Sequence, residues 1–149
     1  MSPFDLREAL LAKHAQHVVL VHFPIALFIV GVAFDFLAHW RRHLNLAATA
    51  YYNFVVAALS TLPVIATGLL AWQFQLESQK LKGALLLHLV LGGVSSAMIW
   101  LVWYVHLRVR RSPEQILPFY CLPIELLAVA VVTVTGHLGG FLSGVNGPN

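Results

Sequence analysis

Residues 14–27 read His-Ala-Gln-His-Val-Val-Leu-Val-His-Phe-Pro-Ile-Ala-Leu, so three histidines lead into an apolar run that contains a proline. Beyond this stretch the sequence carries no Asp, Glu, Lys or Arg until Asp35. The pattern predicts a membrane-spanning helix, with His22 about one turn inside it. Because an ionisable side chain is costly at that depth of a bilayer, His22 is a candidate functional residue.

The composition of the whole chain is that of a membrane protein. Of its 149 residues, 59% are hydrophobic and 10% are charged, and the mean hydropathy is +0.79. A soluble domain carries about 25% charged residues. The net charge of +3 is what basic loops between spans produce, and it predicts no nucleic-acid partner. Cys121 is the only cysteine, so no disulfide can form within the chain, and we interpret it as a buried apolar thiol.

Four long apolar runs separated by short polar links determine the predicted architecture. The predicted spans cover residues 18–40, 48–74, 83–107 and 118–138. Each can cross the roughly 30 Å of hydrocarbon in a bilayer. Since short links make consecutive spans antiparallel, we expect a single all-α domain over residues 1–149, a membrane-embedded up-down four-helix bundle. The Ser-Pro-Phe-Asp start at residues 2–5 predicts a short N-terminal interfacial helix on the membrane surface.

The basic residues of the links predict the orientation of the bundle. The links after the first and third spans carry five arginines, whereas the opposite side carries Arg7, Lys13, Lys80 and Lys82. Positive charge accumulates on the cytoplasmic side of membrane proteins. We therefore expect the arginine-bearing links to face the cytoplasm and both termini to face outward.

Three histidines on three different spans fall at the outward end of the predicted bundle. His22 lies near the start of the first span, His88 lies about five residues into the third, and His137 closes the fourth. Gly92 and Gly68 lie at a similar depth and leave room for a flat group, although such small residues also serve helix packing. Bundles bind cofactors through side chains on facing helices, and imidazole ligates haem iron, zinc and copper. These histidines therefore predict a cofactor site.

The surroundings of the three histidines favour haem b. The outward half of the predicted bundle offers no acidic residue at their depth, and no cysteine or methionine. A six-coordinate haem b needs two histidines from different helices. A hydrolytic zinc site would need a general base and a diiron site would need several carboxylates, whereas copper bound by three histidines remains an alternative.

The predicted ligands are assigned by how deep each histidine lies in its predicted span. We expect His22 and His88 to be the axial ligands of one haem b, with His137 as a substitute ligand or hydrogen-bond partner. His17 is closer to the surface, where it could orient His22 or bind a haem propionate. Iron with two axial histidines has no open position, so we expect electron transfer and no catalytic site in this chain.

A second polar set lies at the other end of the predicted bundle and consists of Asp35, His39, Asn53, His106 and Glu125. One interpretation is a second haem near His39 and His106. The alternative is structural: the two histidines reach lipid headgroups, Asp35 pairs with His39 one turn away, and Glu125 pairs with Arg42 or with a histidine of the set. A proton-transfer or quinol-binding role for Glu125 is a third alternative.

Two motifs resemble those of the DUF2231 family of bacterial membrane proteins. The first is residues 17–27, His-Val-Val-Leu-Val-His-Phe-Pro-Ile-Ala-Leu, and the second is residues 136–145, Gly-His-Leu-Gly-Gly-Phe-Leu-Ser-Gly-Val. Asp35, Gly68 and His88 lie between them, so the resemblance covers nearly the whole chain. One position departs from the family pattern, since valine and not proline follows the first histidine. The family is similar to four-helix, cytochrome-b-like proteins, and related domains occur with c-type cytochromes, which implies redox partners.

Two functions are consistent with these features. The first is a haem-b-binding electron-transfer subunit of the bacterial inner membrane, with its termini in the periplasm. It would relay electrons between a membrane quinol or partner complex and periplasmic cytochromes. The second is a cofactor-free subunit that anchors or packs a larger complex. In either function we expect the chain to lie in the lipid bilayer beside other subunits of a redox complex, including a c-type cytochrome.

Overall fold

The structure is a computed structural model of the chain and describes residues 13–41, 43–74, 80–113 and 117–143. Over these ranges the chain is almost entirely helical and contains no strand. The predicted all-α, membrane-embedded four-helix fold is therefore confirmed. The predicted interfacial helix starts at residues 2–5, and its residues before Lys13 lie outside the described residues.

The described residues form five helices. They are α1 (Lys13–Leu20), α2 (His22–Arg41), α3 (Leu44–Phe74), α4 (Gly83–Arg111) and α5 (Cys121–Leu142). The helices α1 and α2 together make the first span, Gln16–Arg41, and α3, α4 and α5 are the other three. All four spans are long and apolar enough to cross a membrane, so the protein is a multi-pass membrane protein.

A proline explains the break between α1 and α2. Pro24 has no backbone N–H, so the carbonyl group of Leu20 cannot receive the usual helical bond from it. The proline lies third in α2, within the first turn, where amide hydrogens have no helical acceptor. Val21 forms the turn, and its N–H donates to the carbonyl oxygen of His17 at 3.0 Å. The first span therefore consists of two helical pieces, and the outer piece carries His17.

The four spans pack as a closed ring, in which each span contacts the next along the chain and the first also contacts the last. Its centre is filled by buried apolar side chains: Phe28, Val32, Ala50, Phe54, Ala57, Ala58, Ile99, Val102, Ala128 and Val132. The outer surface is apolar too, and Phe23, Leu59 and Leu126 are each more than half exposed. An apolar surface of this kind is stable in hydrocarbon and not in water.

Polar side chains are placed at two levels of the bundle, on either side of the apolar core. One level holds His17 and His88, named here the histidine pair. The other holds His106, Cys121 and Glu125, named here the buried triad. These two groups are the candidate sites of the fold.

Arginines mark the end of the bundle nearest the buried triad, named here the arginine end. The last turn of α4 carries Arg108, Arg110 and Arg111, and α2 ends at Arg41. The guanidinium carbon of Arg110 lies 4.4 Å from the ring centre of Tyr51 on α3. This cation–π contact ties α4 to α3 near the membrane surface.

Candidate functional site

The imidazole of His17 is fixed against α3. Its Nδ1 lies 3.1 Å from the carbonyl oxygen of Val64 and 3.3 Å from Oγ1 of Thr67. Gly68 allows this approach, because a Cβ at that position would lie only 2.9 Å from Cε1 of His17. The half-buried ring is thus held between a backbone acceptor and a glycine surface.

The imidazole of His88 is fixed in the same way against α5. Its Nδ1 lies 3.2 Å from the carbonyl oxygen of Thr135. The hydroxyl of Thr135 in turn shares a hydrogen bond of 2.9 Å with the hydroxyl of Ser95 on α4. A Cβ added at Gly139 would lie 3.1 Å from Cε1 of His88, so a second glycine provides the space for a second ring.

These contacts bring the two imidazoles together from different spans. The ring centres of His17 and His88 lie 6.4 Å apart, and the ring planes are 85° apart. A carbonyl oxygen can only accept, so each Nδ1 must carry the proton that it donates, and in a neutral ring Nε2 then carries the lone pair. Two neutral imidazoles in this tautomer are suited to bind one metal ion through Nε2.

The other predicted site residues lie elsewhere. His22 is exposed on the outside of the bundle, and its Nδ1 lies 2.7 Å from the carbonyl oxygen of Val18, one turn back in its own span. His137 is exposed as well. Gly92 lies one turn below His88, and a Cβ there would meet nothing within 4 Å. The structure thus brings His88 together with His17, leaves open space at Gly92, and places Gly68 against His17.

Helical geometry explains why His17 reaches the interior and His22 does not. Two residues five positions apart in a helix are rotated by about 500°, which leaves them roughly 140° apart around the axis. An unbroken helix would therefore place the two histidines on different faces, and in the structure, with the turn at Val21 between them, His17 is half-buried and His22 is exposed. The sequence favoured His22 because it lies further into the apolar run than His17. Position along a helix does not determine whether a side chain points toward the bundle axis.

The buried triad joins α4 to α5 through short polar contacts. Nε2 of His106 lies 2.8 Å from Oε1 of Glu125. The thiol of Cys121 donates to the same oxygen at 3.2 Å, and its sulfur lies 3.7 Å from Nε2 of His106. All three residues are at most 5% exposed. Of the two partners predicted for Glu125, the structure shows a histidine of this set, His106.

Asp35 lies on the far side of the same imidazole. Its Oδ1 is 4.0 Å from Nδ1 of His106, and its side chain is 1% exposed. Within the described part of the chain, neither oxygen of Asp35 accepts a hydrogen bond, and neither does Oε2 of Glu125. The ring of Phe54 packs 4.7 Å from the imidazole, centre to centre, and fixes its plane. His39, the other histidine of the predicted set, is exposed.

The sequence contained a signal for part of this cluster. Cys121 and Glu125 are four residues apart, so they share one face of α5. The thiol was interpreted as an apolar core group, and its contacts in the structure are polar. No residue type could have indicated the carbonyl oxygens of Val64 and Thr135, since every residue carries a carbonyl.

Four apolar spans around buried polar side chains define an all-α, multi-pass membrane protein. The chain belongs to the DUF2231 family, described as a predicted membrane protein, whose profile matches residues 13–147. The family resemblance drawn from the two sequence motifs is thereby confirmed. No curated protein and no solved structure matches the chain.

Proposed function

We propose that this protein is a haem-b-binding electron-transfer subunit of a bacterial membrane, with His17 and His88 as the axial ligands. The histidine pair is the observation that supports this function. A metal–imidazole bond is about 2 Å long, so two imidazoles on opposite sides of one ion have ring centres roughly 6 Å apart. The observed ring-centre separation of 6.4 Å is close to that spacing.

The surroundings of the pair also fit an axial role. Each imidazole donates its Nδ1 proton to a backbone carbonyl, which fixes the ring and makes Nε2 a better ligand. A Cβ at Gly92, one turn from His88, would meet no atom within 4 Å, so the backbone there would not clash with a flat group. We therefore propose His17 in place of His22 as the partner of His88.

Haem b bound here would supply reversible one-electron chemistry. The chain's own contribution is to hold two imidazoles at a fixed spacing between the helices that carry their hydrogen-bond acceptors. Two axial histidines leave no open coordination position, so the site is suited to electron transfer and not to oxygen activation.

The side of the membrane on which the histidine pair exchanges electrons is proposed from the charge distribution. Arg41, Arg108, Arg110 and Arg111 lie at the arginine end, away from the histidine pair. If that end is cytoplasmic, the pair lies near the periplasmic surface of the inner membrane. We propose that electrons pass there between a membrane quinol or partner complex and a periplasmic c-type cytochrome.

One observation favours a second candidate, a cofactor-free subunit that packs within a larger complex. The bond from His17 to α3 and the bond from His88 to α5 each join two spans. Such bonds stabilise a bundle without any cofactor, each contributing about 1 kcal/mol.

Absorbance spectra of the purified chain distinguish these functions. The wild type should carry one low-spin haem b. His17→Ala and His88→Ala should lose the haem or convert it to a high-spin form. His22→Ala and His137→Ala are matched controls on the exposed surface and should keep the low-spin spectrum.

Two results would overturn the assignment. Loss of haem from His22→Ala with retention in His17→Ala would restore the pair expected from the sequence. A wild type that takes up no haem would remove the electron-transfer function and leave the packing function.

A further inference from the structure

We propose that His106, Cys121 and Glu125 bind a divalent transition-metal ion, zinc being the best match, inside the arginine end of the bundle. The ligand atoms are one imidazole nitrogen, one thiol sulfur and one carboxylate oxygen, all within 4.8 Å of one another. Nitrogen and sulfur ligands select zinc over magnesium or calcium, which prefer oxygen. This site is separate from the histidine pair and does not depend on haem binding there.

The distances in the triad are close to those of a tetrahedral site. Zinc bonds of about 2.0–2.3 Å place neighbouring ligand atoms roughly 3.3–3.6 Å apart. The sulfur of Cys121 lies 3.7 Å from Nε2 of His106 and 3.2 Å from Oε1 of Glu125. The third edge, from Nε2 to Oε1, is a 2.8 Å hydrogen bond that would lengthen when an ion replaces the shared proton.

Unsatisfied oxygens provide the independent evidence for a cation. Oε2 of Glu125 and both oxygens of Asp35 accept no hydrogen bond from any described residue, although Glu125 is 0% and Asp35 1% exposed. Buried oxygens of this kind are costly unless a donor or a cation satisfies them. A divalent ion beside Glu125 would supply the missing positive charge.

Asp35 is a positioning residue in this proposal. It lies on the Nδ1 side of His106, 4.0 Å away, while Nε2 faces the other two ligands. A carboxylate behind a ligating histidine orients the ring and raises its basicity. The proposed ligands lie on α4 and α5, and the carboxylate that orients His106 lies on α2. An ion at this site would therefore connect three spans.

Two cavities lie beside the buried triad. Cys121 lines two cavities of about 170 and 250 Å³. His39, which is exposed near the end of α2, lines the larger one. Binding would displace two protons: the thiol proton of Cys121, which is released as the thiolate forms, and the proton shared by Nε2 of His106 and Oε1 of Glu125, which moves to Nδ1 of His106 on the side of Asp35 or is released as well.

Zinc and a second haem at this end exclude each other. Either one would need Nε2 of His106, the atom that already faces Glu125 and Cys121. The proposal therefore predicts that the chain carries at most one haem.

The full chain, purified in detergent and stripped with a chelator, is incubated with Zn²⁺ alone, and bound zinc is counted by mass spectrometry. The wild type should bind one zinc per chain. Cys121→Ser and Glu125→Gln should lose stoichiometric binding, and Asp35→Asn should bind about 10–100-fold more weakly. His43→Ala, which removes an exposed histidine from the neighbouring link, is the matched control and should bind as the wild type does.

Alkylation of the wild type gives a second readout that needs no variant. Cys121 is the only cysteine, so maleimide labelling reports on one thiol. Zinc should protect it and a chelator should restore its labelling. The proposal is overturned if the wild type binds no zinc, if the chelated wild type is labelled and zinc leaves that labelling unchanged, or if folded Cys121→Ser and Glu125→Gln both bind one zinc normally.

Discussion

The histidine pair and the buried triad lie in the same bundle, but their imidazole rings differ in hydrogen-bond partners and in burial. At the pair, Nδ1 of each ring donates to a backbone carbonyl and both rings are half-buried. At the triad, Nε2 of His106 contacts a carboxylate and a thiol, and the residue is 5% exposed. The first arrangement provides two neutral ligands for one large cofactor. The second surrounds one imidazole with acidic groups and suits a small cation.

The difference indicates what an intramembrane histidine needs around it before it can be assigned a role. A backbone acceptor on Nδ1 sets the tautomer without adding charge, so the two rings can share a metal without a nearby acid. Acidic neighbours add negative charge that has to be balanced where water is scarce. The two ends of this fold are therefore expected to respond to different ligands.

The largest expected effect is a reciprocal loss of ligands. His88→Ala should remove the haem and leave zinc binding at one ion per chain, whereas His106→Ala should remove zinc and leave the haem. Haem absorbance and metal counting on the same two samples measure this. Loss of both ligands from a variant that keeps its helical circular dichroism would show that the two sites are not independent.

Gly31→Ala should destabilise the folded protein by disturbing the packing beside the buried triad. A Cβ at Gly31 would lie 2.7 Å from Cε1 of Phe54, whose ring packs against His106. Phe54 is fully buried, so relief requires a shift in the core and should lower the free energy of unfolding by about 1–3 kcal/mol.

Reversible unfolding in mixed detergent measures this change. Gly93→Ala is the control, because a Cβ there meets nothing within 4 Å. Equal stability of the two variants would contradict the close packing of Phe54 against α2.

Gly68→Ala should act at the other end and mainly on the cofactor. Its Cβ would lie 2.9 Å from Cε1 of His17, so the imidazole would have to move away from α3. Overpacking of about 1–3 kcal/mol corresponds to roughly 5- to 150-fold faster haem dissociation. Transfer of haem to apomyoglobin measures the rate, and an unchanged rate would argue against His17 as a ligand. Zinc affinity should stay the same.

Thr135→Val should have the smallest effect. The change removes the 2.9 Å hydrogen bond between the hydroxyls of Ser95 and Thr135 and should cost about 1 kcal/mol of stability. It keeps the backbone carbonyl that accepts the proton of His88, so the low-spin haem spectrum should persist. Loss of haem from this variant would mean that the threonine hydroxyl, and not the carbonyl, orients the ligand.

The fold could be predicted from the sequence because it depends on the length of apolar runs. Residues 18–40, 48–74, 83–107 and 118–138 are uncharged or nearly so over lengths that only helices across a membrane require. Short links then leave little choice of connection.

The sites could be predicted only in part, because direction around a helix matters as much as depth along it. His88 and the contact between Glu125 and a histidine could be read from spacing and burial. His17 was ranked below His22 because the sequence gives the depth of both residues, but the turn at Val21 and the angle between them decide which one faces the axis.

The electron paramagnetic resonance spectrum of the oxidised, haem-loaded wild type tests the central claim most directly. The imidazole planes of His17 and His88 are 85° apart. Low-spin ferric iron between nearly perpendicular imidazoles gives a strongly anisotropic signal with one dominant low-field feature, whereas nearly parallel imidazoles give three well-resolved g values. We predict the anisotropic signal, abolished by His17→Ala and retained by His22→Ala. A three-line or high-spin signal, or no haem signal at all, would contradict the account.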